Sequence, residues 1–321
     1  MNCKVFLTGA SGFVGGGVLR RLVADGVPVV AAVRHENMTL PPSVRGIAFE
    51  SFEHDNDWSG LLAECKVVIH AAARVHVMSD TESDPLAAFR RVNVDGTLAL
   101  ARQAIIAGVK RFVFISSIKV NGEGTCRSKP YFADDVPQPQ DPYGLSKLEA
   151  ETALLALARE SGLEVVIVRP VLVYGSGVKA NFLTMMRWLD RRLPLPFGAI
   201  DNRRSLVALE NLVDLIVTCI NHPAAVNQIF LVSDGEDLST TELLRRMGSA
   251  LGKPARLLPV PASLICAGAA VLGKAGLAQR LCGSLQVDIN KTRDLLGWHP
   301  PVDCEAALQA AARHYQGNDK Q

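Results

Sequence analysis

Three side chains in this sequence have the types and intervals for moving a proton at an oxygen-bearing carbon. Ser117 ends the apolar run Arg111-Phe112-Val113-Phe114-Ile115-Ser116-Ser117, and Tyr143 and Lys147 fall four residues apart in Asp141-Pro142-Tyr143-Gly144-Leu145-Ser146-Lys147. An interval of four puts phenol and ammonium one turn apart on one helix face. Asp141 reads as the N-cap and Pro142 as the first helical residue. An ammonium near a phenol favours phenolate, because opposite charge lowers the pKa of an acid. Moving a tyrosine from about 10 to about 7 takes roughly 4 kcal/mol, within reach of one cation in a dry site. Such a phenol exchanges protons near neutrality, and Ser117 could orient a carbonyl beside it. By itself Tyr-x-x-x-Lys is weak, since any amphipathic helix can pack a Tyr and solvate a Lys.

A second signal stands near the start of the chain. Thr8-Gly9-Ala10-Ser11-Gly12-Phe13-Val14-Gly15 lies where a strand turns into a helix, aiming helix N-terminal amides at a pyrophosphate. Gly9 permits the turn, Gly12 lets backbone approach phosphates, and Gly15 lets helix and strand pack closely. A merely tight strand-to-helix turn is the bland alternative. The next strand ends Ala31-Ala32-Val33-Arg34, where a site for NAD usually carries an acid for the ribose hydroxyls. Arg34 instead offers a planar fork for a 2′-phosphate. A charge-assisted bond of roughly 1.5–3 kcal/mol would favour NADP by about ten- to a hundred-fold. NADP(H) is the favoured cofactor; NAD(H) stays open, with Glu36 or main chain holding the ribose. An oxidised nicotinamide would add its positive charge to that of Lys147 beside Tyr143.

The elements that must position these residues are legible as short apolar runs. Cys3–Thr8, Pro28–Val33, Ile47–Phe49, Lys66–His70, Arg111–Ser116, Glu164–Arg169 and Gln228–Val232 read as buried parallel strands separated by helical stretches. The fold class is therefore α/β, a doubly wound Rossmann sheet of about seven strands with ligands beyond the carboxyl ends. After Arg169-Pro170, prolines punctuate shorter elements, implying a smaller discontinuous lobe. The expected division is 1–172 and 203–235 for dinucleotide, and 173–202 and 236–321 for substrate.

With 321 residues, 48% hydrophobic and 21% charged, disorder and fibrous repeats are excluded. Scattered basic residues and a net charge of +2 give no footprint for nucleic acid. Seven dispersed cysteines without Cys-x-x-Cys form neither a disulfide framework nor a zinc pattern, and no His spacing suggests a metal. No leader-like segment is evident near Met1, so a cytoplasmic protein is expected. Ala262–Gly273 is apolar but too short to span a bilayer core of roughly 30 Å, and reads as a buried or docking helix.

Together these features resemble the extended short-chain dehydrogenase/reductase family over almost the whole chain. Further landmarks are His70-Ala71-Ala72-Ala73, Asn93-Val94-Asp95-Gly96-Thr97, Arg169-Pro170 and Leu296-Gly297-Trp298-His299-Pro300. The resemblance implies that Gly9, Ser11, Gly12, Phe13, Gly15, Ala71, Ala72, Asn93, Lys147 and Pro170 contact the dinucleotide. It also implies that Ser117 and Tyr143 hold the reacting oxygen, and that the chain forms a homodimer through helices around Asp84–Gly108 and Leu145–Ser161.

Within that family the sequence is most similar to enzymes of UDP-linked sugars, the 4-epimerases and 4-keto reductases. Asn181 matches a diphosphate-binding segment, Phe197 one that cradles uracil, and Arg204 and Arg280 match phosphate partners. Taken singly, these read as a helix cap, lobe core and surface charge. The runs around His70–Met78 and Ser116–Glu123 resemble enzymes that reduce UDP-4-keto-6-deoxy-N-acetylhexosamines for bacterial surface polysaccharide of O-antigen type. His76 and Lys119 then approach the sugar. With Arg34 reading NADPH, net reduction at C4 is the leading expectation, UDP-hexose or UDP-N-acetylhexosamine 4-epimerisation with bound NAD the alternative, and a non-catalytic dinucleotide-binding protein a remote one.

Overall fold

The computed structural model describes residues 3–34, 40–53, 56–75, 84–273 and 275–318. Its strands are β1 (Val5–Thr8), β2 (Val29–Val33), β3 (Val44–Ala48), β4 (Val67–His70), β5 (Arg111–Ile115), β6 (Glu164–Pro170), β7 (Leu172–Tyr174), β8 (Arg204–Ala208), β9 (Gln228–Val232) and β10 (Asp237–Leu238). Seven form one sheet in the order β3-β2-β1-β4-β5-β6-β9, every pair parallel.

Alternation along each strand sends side chains into two cores. Val5, Leu7, Val29 and Ala31 face one; Phe6, Val30, Val68 and Phe112 face the other. Burial on both sides is why these strands read as unbroken apolar runs rather than alternating ones. The third strand departs from expectation. It begins at Val44 rather than Ile47, and as the sheet edge it is largely exposed, so its polar residues hid it.

The chain winds outward from β1 to β3, then returns to place β4 on the other side of β1. That reversal opens a crevice between the carboxyl ends of β1 and β4, the place where such sheets take ligands. Gly9 lies there with φ +73, and a Cβ on it would stand 2.7 Å from the Ala71 carbonyl carbon and the Ala72 nitrogen. A Cβ on Gly15 would stand 2.1 Å from the Gly9 carbonyl oxygen. The helix Phe13–Ala24 therefore starts in backbone contact with the turn that feeds it.

A second sheet, β10-β8-β7, pairs β7 with β8 in parallel and β10 antiparallel. It joins a third core of Tyr174, Phe182, Met186, Phe197, Leu244 and Leu308. In the expected division β8 falls with the dinucleotide unit, but it pairs in this small sheet, and the chain rejoins the large one at β9.

Gly15→Ala sets helix propensity against a clash with rigid backbone, and the clash dominates. The expected loss is about 1–3 kcal/mol of unfolding free energy together with weakened dinucleotide binding, measured by urea denaturation and cofactor titration.

Candidate active site

The helix Pro142–Ser161 starts as its sequence directs. Asp141 caps it by accepting the Gly144 N–H, Pro142 occupies the first turn, and Gly162 ends it with φ +77. Gly144 also lets the helix dock, since a Cβ there would meet the Lys119 carbonyl oxygen at 2.8 Å. That oxygen belongs to the short 3₁₀ turn Ile118–Val120, which Ser117 caps by accepting the Lys119 N–H at 3.3 Å. Two caps and one close backbone approach thus bring Ser117 to Tyr143, near enough for its hydroxyl to favour the phenolate.

Lys147, one turn on, is 1% exposed. Its Nζ donates to the Ile115 carbonyl at 2.7 Å and lies 4.2 Å from the centre of the Phe114 ring. The structure reverses the expected acid strength of the phenol. Burial pushes Tyr143 up to about 12, the Asp141 carboxylate adds to the rise, and the Ser117 hydroxyl opposes it. Lys147 is pushed down to about 7 by burial, with Glu151 opposing. Desolvation penalises the charged form of both groups and outweighs the attraction between them. Without a dinucleotide the phenol keeps its proton at neutral pH.

Glu151, a further turn along the same helix, has no precedent in the sequence reading. Its carboxylate meets Arg169 through Nε at 3.0 Å and Nη2 at 2.5 Å, and accepts the Ser116 hydroxyl. Arg169 also reaches Asn121 at 2.9 Å. Its interval of four from Lys147 was the available signal. This fully buried pair lies beneath the Ser117 turn.

A second buried set ties the glycine turn to the helix. The Ala72 N–H donates to Thr8 Oγ1, which bonds His70 Nδ1 at 2.7 Å; His70 Nε2 meets Thr97 Oγ1 at 3.0 Å, and Thr97 donates to the Asn93 carbonyl at 2.8 Å. With the Thr97 proton committed, Nε2 carries the imidazole hydrogen and Nδ1 accepts. Burial, and then the Lys147 charge, hold His70 down at about 3, so it stays neutral. Asn93 lies in a π-helical turn. Its amide pairs with both main-chain groups of Arg74, at 2.8 and 3.1 Å, and with Ser146 at 3.0 Å. The side chain therefore braces loop and helix.

The remaining dinucleotide candidates lie at the carboxyl ends of the parallel strands. Ser11 and Gly12 are exposed and Phe13 half-buried at the N-terminus of Phe13–Ala24, which has no side-chain cap. Its free amides fit a pyrophosphate. Ala71 and Ala72 follow β4, Pro170 ends β6, and Arg34 is exposed just past β2. His76 and Glu36 lie outside the described residues.

The substrate candidates are more dispersed. Arg204 donates to the Gly283 carbonyl at 3.0 Å, and burial, then the like charge of Arg280, work against its cation. Among the described residues neither guanidinium has a carboxylate within ion-pair distance, so an anion would relieve both. Lys119 is held by Glu123 at 2.8 Å and by Asp141, which leaves its ammonium already neutralised. Asn181 is exposed in the first turn of Ala180–Asp190. The Phe197 ring is packed in the third core, 8% exposed, so it offers a ligand little aromatic face.

A Rossmann sheet with a glycine turn at its switch point, and with Ser, Tyr and Lys gathered at its carboxyl edge, defines an NAD(P)-dependent enzyme. The chain matches the NAD dependent epimerase/dehydratase family over residues 5–233, and it belongs to that family. It is 49% identical to the UDP-glucose 4-epimerase of Vibrio cholerae over 100% of this chain and 98% of that one. Solved structures similar in fold include UDP-glucuronic acid 4-epimerase from Bacillus cereus with NAD. That likeness has TM-score 0.79 at 20% identity and covers 99% of this chain and 98% of that one. RMD from Pseudomonas aeruginosa, complexed with NADPH, has TM-score 0.76 at 21% identity, covering 98% and 100%.

The depressed Lys147 has a consequence for stability. Between about 7 and 10.5 the unfolded chain holds a proton that the folded chain has released, so this group makes stability rise with pH across that window. Lys147→Met removes the rise. Denaturant midpoints at both ends of the window test it, and an unchanged pH slope in the variant contradicts it.

Proposed function

We propose that this chain is a 4-epimerase of UDP-linked hexoses or N-acetylhexosamines, working with a nicotinamide dinucleotide retained through turnover. The observation that carries the reading is full-length similarity, at 49% identity, to a UDP-glucose 4-epimerase. It moves the epimerase ahead of the reductase that leads on sequence alone.

Bound in the cradle, the dinucleotide would supply reversible hydride acceptance at the sugar C4. Tyr143 takes the C4 hydroxyl proton and returns it, with Ser117, which favours the phenolate, orienting the oxygen. Lys147 lies below that pair and holds the cofactor ribose. Because the isolated phenol is pushed up to about 12, it can act as a base only when bound positive charge restores the phenolate. Arg204 and Arg280 receive the diphosphate with forked bonds, and residues 173–202 and 236–321 embrace the sugar nucleotide.

A second reading, NADPH-dependent reduction of a UDP-4-keto-6-deoxy-N-acetylhexosamine, is favoured by one observation. Arg34 is exposed at the end of β2, where it can reach a 2′-phosphate. Supplied with UDP-glucose alone, the purified protein should form UDP-galactose without net change in reduced cofactor. Mass spectrometry of nucleotide released on denaturation should identify NAD. NADPH oxidation by the keto sugar, with no interconversion of the hexoses, would instead select the reductase. Tyr143→Phe should lower kcat by about 10²–10⁴-fold and leave nucleotide content unchanged; full turnover would remove Tyr143 from the reaction.

A further inference from the structure

The apolar stretch after Pro261 has no part in the chemistry above. It forms the helix Ala262–Val271, in which no residue is buried. Leu264 is 63% exposed, Val271 88% and Leu272 73%, and Leu258 on the approach is 51% exposed. A helix apolar on every side is normally found inside a core or in lipid. Exposed apolar surface of this extent marks an interaction site.

Positive charge surrounds the patch. Arg256 is exposed at its entrance, and the companion helix Ala275–Cys282 follows. Main-chain bonds from Leu195 to Arg256 at 2.9 Å and from Leu258 to Leu195 at 2.8 Å bring up a neighbouring loop with exposed Arg191 and Arg192. From Arg256 to Val287 the sequence contains no Asp or Glu. The acids at the ends of the neighbouring loop are engaged, Asp190 by Lys253 at 2.5 Å and Asp201 by Arg127 at 2.7 Å.

We propose that this hairpin docks on the surface of an anionic phospholipid bilayer, its apolar tip entering the headgroup boundary and its arginines meeting lipid phosphates. The inference rests on this surface alone and not on the reaction proposed above. Charge complementarity selects the occupant, because anionic lipid attracts each nearby cation. Geometry agrees. Ile265 packs against the third core, and the outward Leu264, Val271 and Leu272 are left for the headgroup boundary. Among the described residues no helix is long and apolar enough to cross a membrane, so the contact is peripheral.

Vesicle flotation of the full chain tests this. Binding to phosphatidylcholine vesicles containing phosphatidylglycerol is expected, weakening as salt is added and weak on phosphatidylcholine alone. Val271→Asp combined with Leu272→Asp should reduce the bound fraction at least about tenfold with an unchanged circular dichroism spectrum. A Val271→Trp variant gives a readout independent of lost binding, its emission shifting blue on addition of the anionic vesicles. Absence of binding at low ionic strength, binding untouched by the double substitution, or an unmoved Val271→Trp emission overturns the proposal. So does conversion of a dimer to monomer by the double substitution in a chain that does not float, which would assign the surface to a second copy.

Discussion

An ammonium sealed at the carboxyl edge of a parallel sheet is the constraint on which the site is built. Burial pushes Lys147 down to about 7, so the charge persists only with compensation from its surroundings. The Ile115 carbonyl, the Phe114 ring face and the Glu151 carboxylate provide it. Two of these come from β5 and one from the lysine's own helix. Their convergence requires β5 and that helix to sit in one fixed relation, which the Gly144 approach to Lys119 allows.

Glu151 links that demand to the rest of the sheet. As a buried carboxylate it needs a cation of its own, and Arg169 from β6 supplies one with nearly ideal fork geometry. Such a pair adds little net stability over apolar packing, yet losing one partner strands the other charge. Its more specific effect here is register. The residue that follows β5, a residue of β6 and one of the helix Pro142–Ser161 form a network of Ser116, Arg169 and Glu151. On the same face of the sheet, neutral His70 performs the same task without charge, joining β1, β4 and the helix that carries Thr97. The glycine turn and the Ser–Tyr pair are therefore held by buried polar networks inside an apolar sheet.

The outer half of the site is built on the opposite principle. Arg204 and Arg280 stand near each other with no carboxylate at ion-pair distance among the described residues, and Glu123 opposes the effect of their like charge on Arg204. A bound anion would relieve that repulsion, which suits the proposed diphosphate. Lys119, by contrast, is already paired with Glu123 and Asp141.

The sequence alone determined the sheet, the glycine turn and the Tyr143–Lys147 helix, because each is written in local terms: apolar runs, glycines at a strand end, a capping Asp with Pro behind it. The edge strand was misplaced because its exposure removes the apolar signal. Tertiary structure decided what depends on surroundings rather than on neighbours in the chain. Desolvation raised the Tyr143 pKa where pairwise charge predicted a fall. Packing turned Phe197 inward and committed Asn93 to Arg74 and Ser146. Glu151 acquired its place only when folding brought Arg169 to it, from eighteen residues away. Local pattern specifies which elements form, but burial and partner distance set the charge and availability of each side chain, and those are properties of the assembled molecule.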